Sequence, residues 1–249
     1  MDVIREMSGI IAVVNTPFTH DGKLDETSLC RHVEFALNNE VVGFLISAMA
    51  AEVNILTFAE RQLIAKSVTE SSGTKIPVIG GTAALIQAER LNLCRMFLDN
   101  GCAGILVNIP YENENQNQDL VGEIADLNPE ILMIQDWAST QMIEALDRGV
   151  NAFMPTILHN SYNQIFRIHR AGDRERAERL FNNLVPIPGF SHQHPDITIH
   201  FNKHLLVRQG IFFNSSVRQP ILRFDEYHKR VATNLIDNEI NLSQSLHEY

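Results

Sequence analysis

The chain has 249 residues, 45% of them hydrophobic and 20% charged, with a formal net charge of −10. That length and apolar content suit a sizeable globular core, and no low-complexity tract points to disorder. The acidic balance, without any Lys/Arg cluster, speaks against nucleic acid or an anionic membrane as a partner. Cys30, Cys94 and Cys102 form no CxxC pair and read as buried, reduced thiols. MDVIREMSG holds no apolar signal core and no run reaches 18 apolar residues, so the expected compartment is the cytoplasm.

In chain order, GIIAVVNTPF (9–18) is β-rich and ends at a proline, and Leu24–Asn39 follows with helical spacing. VVGFLISAM (41–49) is continuously apolar, as a strand buried on both faces requires. Thr57 opens a helix with Glu60 as its capping-box partner, and the helix ends at Gly73. IPVIGGTA (76–83), CAGILVNIP (102–110) and EILMIQDW (130–137) read as strands, and Ile86–Asn100 and Asp119–Leu127 as helices. Strand–helix units with short links predict a parallel sheet with right-handed crossovers. The lack of GxGxxG or a P-loop favours a barrel over an open doubly wound sheet. After Trp137 the rhythm changes. Thr140–Arg148 reads as a helix and NAFMPTI (151–157) as a sixth strand, followed by helices at Tyr162–Ala171, Asp173–Leu184, His200–Gln209 and Glu226–Ile240.

Several segments, in order and spacing, carry a resemblance: TPF (16–18), DG with LD (21–25), Glu52 before LT and AER (56–61), PVIGG (77–81), GCAGILVNIPY (101–111), GVNAFMP (149–155), AGDRERAERL (171–180) and KHLLVRQGI…VRQP (203–220). Over roughly four-fifths of its length the chain resembles the dihydrodipicolinate synthase / N-acetylneuraminate lyase family of class I pyruvate-type aldolases. The resemblance implies a TIM-type (β/α)8 barrel with a C-terminal helical extension, here expected as residues 1–172 and 173–249. It implies a homo-oligomer, usually a tetramer, acting on pyruvate or another 2-oxo acid as a carbon–carbon or hydro-lyase, without a metal or other cofactor. A lysine closing the sixth strand would form a Schiff base with the keto carbon, at the C-terminal ends of the strands.

The chain departs from that pattern at the chemistry itself. DWAST (136–140) runs directly into QMIEALDRGVNAFMP, which resembles the seventh helix and eighth strand, so about two βα units, including the lysine-bearing strand, are missing. Six strands cannot close as eight do, so the sheet either closes smaller or stays open with two edges. The lysines present are Lys23, Lys66, Lys75, Lys203 and Lys229, none at the Schiff-base position, and each is expected on the solvated surface. The loop usually reading GTTGE is Ala48, Met49, Ala50, Ala51, Glu52. A tyrosine pair is reduced to Tyr111 before Glu112, and the fifth strand ends in Gln135 and Asp136. The expected substrate contacts are Ala48, Met49, Ala50, Glu52, Tyr111, Gln135 and Asp136, with no catalytic residue assigned.

Other constellations are weaker. His192, His194, His200 and His204 cluster, but without an HExxH glutamate they read as packing and surface groups. Glu52, Glu112 and Asp136 at strand ends would suit a divalent cation, although structural hydrogen bonding by Glu52 is the simpler expectation. Gly80-Gly81 reads as close backbone approach. Three readings stay open: a lyase by descent without its lysine, a non-catalytic 2-oxo-acid binding or oligomer-interaction protein, and a poorly folding deletion product.

Overall fold

Branched apolar runs between turn formers become six short strands in the structure, a computed structural model that describes residues 7–73, 76–82, 87–106, 134–135 and 138–246. They are β1 (Gly9–Val13), β2 (Gly43–Ile46), β3 (Val78–Gly81), β4 (Gly104–Leu106), β5 (Ile134–Gln135) and β6 (Ala152–Phe153). All pairings are parallel, in the order β4-β3-β2-β1-β6-β5. The fifth strand therefore lies against the last, with Ile134 opposite Ala152, and the first against the last, with Gly9 opposite Ala152. Residues alternate between two cores, as strand periodicity requires. Ile11, Val13, Leu45, Ile79, Ala152 and Met154 fill the inside, while Ile10, Ala12, Phe44, Ile46, Val78 and Phe153 meet the surrounding helices.

The helices are α1 (Glu26–Asn38), α2 (Phe58–Ser72), α3 (Gln87–Asp99), α4 (Ala138–Asp147), α5 (His159–Arg170), α6 (Arg174–Leu184), α7 (Pro186–Ser191), α8 (Pro195–Arg208) and α9 (Glu226–Leu246). Thr57 and Glu60 form the expected capping box on α2, and Asp173 caps α6 by accepting from the Arg176 amide. Gly81 has a positional role: a Cβ there would sit 2.6 Å from the Ser47 carbonyl oxygen, so the glycine lets β3 approach the end of β2.

This is a TIM-type barrel portion with a C-terminal helical extension. The extension shares the outer core. Leu180, Phe181, Ile197, Phe201, Leu205 and Ile236 belong to the same hydrophobic cluster as the strand residues facing outward. Helix α7, with two prolines and a glycine in six residues, escapes the sequence reading, as does the first turn of α8, where Pro195 follows the capping His194. One cysteine expectation is corrected. Cys30 is exposed, on the outer side of α1, whereas Cys102 is buried and Cys94 intermediate. The expected helix 119–127 lies outside the described residues.

Candidate functional site at the barrel mouth

The segment after β2 shapes the C-terminal end of the sheet. It folds into two 3-10 turns, Met49–Ala51 and Val53–Ile55, hinged at Glu52, whose φ of 60° is left-handed. Ser47 before them has φ 57°. Non-glycine residues in this region are uncommon, so fixed partners are expected, and they are present. The Thr16 hydroxyl donates to the Ala51 carbonyl at 2.7 Å, and Arg61 donates to the Val53 carbonyl at 2.7 Å. Two amides of this loop are used inside the turns and are not free to bind a ligand: Ala51 donates to the Ala48 carbonyl and Glu52 to the Met49 carbonyl.

Glu52 then reaches into the helical extension, and this corrects an expectation. Lys203, read from the sequence as a solvated surface lysine, is 2% exposed and pairs with the Glu52 carboxylate. Its ammonium also donates to the Ser216 carbonyl at 2.7 Å and lies 4.4 Å from the centre of the Phe18 ring. Burial pushes the Lys203 pKa down to about 8, and the Glu52 charge opposes that shift. The Arg218 amide donates to the other Glu52 oxygen, while its guanidinium holds Glu60 and the Gly22 carbonyl. That guanidinium draws the Glu60 pKa down to about 2. Helix α8 concealed Lys203 because it is buried nearly all round: Ile197, Ile199, Phe201, Asn202, Leu205 and Leu206 all lie inside. The legible signal was the lack of a polar face around position 203.

Beside this cluster, toward the end of β6, is a cavity of about 220 Å³. Met49 and Ala50 form its rim, Met154 to Leu158 one wall, and Tyr162 with residues of α7 and the start of α8 the other. Asn15 buttresses the first wall by donating to the Thr156 carbonyl at 2.7 Å, and Asn202 in turn donates to Asn15. Thr198 donates to the Ser191 carbonyl at 2.8 Å. Burial lowers the His192 pKa and raises that of Tyr162, which keeps both side chains neutral near pH 7.

Of the expected contacts, Met49 and Ala50 line the cavity, and Ala48 and Glu52 occupy the same loop without lining it. Gln135 belongs to β5. Tyr111, Glu112 and Asp136 lie outside the described residues. The Glu52 carboxylate is committed to Lys203 and Arg218, and the described residues contain no group of three or more metal-ligating side chains. Lys23, Lys66 and Lys229 are exposed, each beside an acidic neighbour; Lys75 is not described. The histidines pack: His200, His204 and His228 ring Phe224, with centroids 5.0, 5.2 and 5.4 Å away.

Known proteins agree with this architecture. The profile of the Dihydrodipicolinate synthetase family matches residues 6–132, half of the chain. The chain belongs to that family. Over 113 residues it is 31% identical to a 4-hydroxy-tetrahydrodipicolinate synthase of Methanococcoides burtonii, and 32% identical to one of Geobacter sulfurreducens. Each match covers 45% of this chain but only 38% and 39% of the relative, so the chain spans about two fifths of the length of these curated relatives. The fold likeness extends further. A dihydrodipicolinate synthase structure from Rhodopseudomonas palustris superposes with a TM-score of 0.80 at 18% identity, over 94% of this chain and 98% of that one. An N-acetylneuraminate lyase from Fusobacterium nucleatum gives 0.81 at 12%, over 93% and 96%. Among the described residues, no helix is long and apolar enough to cross a membrane.

Proposed function

We propose that this protein uses the scaffold of the Schiff-base lyases as a ligand-binding fold and carries out no imine chemistry. Lys203 carries the proposal. An imine needs an amine that can lose its proton and reach a carbonyl carbon. Lys203 is the buried lysine among the described residues, yet it is held by Glu52 and the Ser216 carbonyl and is absent from the cavity lining. With a pKa near 8 it stays mostly protonated at pH 7.

Descent makes a 2-oxo acid the first ligand class to test, with Met49 and Ala50 as its loop contacts and Ala48, Glu52, Tyr111, Gln135 and Asp136 as the other candidates. The same reading puts the boundary between barrel and extension at residues 172/173. It includes self-association, supported by exposed Phe213 and Tyr227, and a cytoplasmic location. The decisive measurement is borohydride reduction in the presence of pyruvate, followed by intact mass. The expected result is an unmodified chain; a stable adduct on any lysine would overturn the proposal.

A further inference from the structure

We infer that the mouth cavity accepts a small, uncharged aromatic molecule in preference to a carboxylate. The inference rests on reading this site as a binding site and departs from the 2-oxo acid that descent alone puts first. The wall is built mainly from Met154, Ile157, Leu158, Ile187, Pro188 and the ring of Tyr162, and no Lys, Arg, Asp or Glu is among the described lining residues. An anion entering there sheds its hydration without meeting an opposite charge, which disfavours its charged form strongly.

Several neutral donors around the cavity are already engaged. The amides of Ala51 and Glu52 are turned into their own loop. The Asn15 side-chain amide is held by the Thr156 carbonyl and the Thr198 hydroxyl by the Ser191 carbonyl. The nearby cations face away from this role: Lys203 is taken by Glu52 and Arg218 by Glu60. The imidazole of His192 is kept neutral by burial, so it adds polarity without charge.

Size points the same way. An apolar cavity of roughly 150 Å³ is enough to hold benzene, and this one measures about 220 Å³. That suits a one- or two-ring compound. Such a pocket, mostly apolar with a few polar groups at its wall, has the usual composition of a small-molecule site.

The test titrates the full-length chain with indole and, separately, with pyruvate, by calorimetry and thermal melting. Saturable indole binding that raises the melting temperature is expected, with no saturable heat from pyruvate. Ala50→Trp plugs the rim from a partly exposed position and should weaken indole binding at least tenfold. Because that variant depends on a correctly folded loop, methyl NMR of the wild-type methionines supplies a second readout: indole should shift Met49 and Met154. Absence of indole binding, or binding that leaves both methyls unmoved, overturns the inference. Reversible pyruvate binding abolished by Ala50→Trp overturns it too, while leaving the absence of imine chemistry intact. A borohydride-trapped adduct refutes that earlier reading instead.

Discussion

Two buried polar clusters tie the helical extension to the barrel layer, on opposite terms. At one, Glu52 and Lys203 face each other across loop and helix, and Arg218 joins Glu52 to Glu60. At the other, His32 on α1 and His159 on α5 stack 6.0 Å apart against Phe212. Among the described residues, no well-formed hydrogen bond reaches either imidazole nitrogen of His32 or one oxygen of nearby buried Glu239 on α9. The first cluster matches charge with charge. The second stays inside only by remaining neutral: burial lowers the pKa of His32 to about 3 and that of His159 to about 4, and raises that of Glu239. A paired ion is therefore vulnerable to loss of its partner, and an unpaired neutral group to a change of proton.

The largest expected effect tests the matched cluster. Lys203→Met strands the Glu52 carboxylate, and should cost about 3–5 kcal/mol in denaturant unfolding. Adding Glu52→Leu should recover most of that loss, because an apolar pair replaces an ionic one. If the double variant is as unstable as the sum of the singles, the pair is not the unit described here.

Acid attacks the second cluster first. The unfolded histidines bind protons near pH 6.5, whereas the folded ones resist until about 4 and 3. The unfolded chain thus holds more protons in that window, and stability falls as pH drops below 6.5, by up to about 1.4 kcal/mol per pH unit for each histidine. Glu60 works in a lower window: its contribution is complete above its usual 4.5 and is lost as pH falls toward 2. Unfolding free energies at pH 7, 6 and 5 should decline steeply in the wild type and less in His32→Leu. Equal slopes would show that His32 carries no part of it.

Glu239→Gln should change stability at pH 7 by less than about 1 kcal/mol, since the amide keeps a contact to Ser243 and removes a group that burial already discourages from ionising. Smallest of all is Arg174→Ala, which breaks exposed pairs to Asp147 and Glu178. A loss close to the limit of measurement, shrinking with added salt, is expected.

The same contrast explains what the sequence made legible. Strand runs, the Thr57–Glu60 box and the Asp173 cap depend on neighbours within a few residues, so they can be read in order along the chain. The glycine at 81 reads correctly because a missing side chain has few uses inside a strand. Lys203 does not, because its partner is at position 52, and only the missing polar stripe on its helix hints that the side chain points inward. The cavity has the same origin. Its rim, walls and buttress come from residues near 15, 50, 155, 190 and 198, and no local period links them.

The seam between β1 and β6 has one more consequence. By pairing the first strand with the last, it fixes the loops after β2 and β6 around the mouth, and leaves β4 and β5 as the two ends of the described sheet. In mechanical terms, the seam works as a clasp that holds the mouth together from the first and last strands at once.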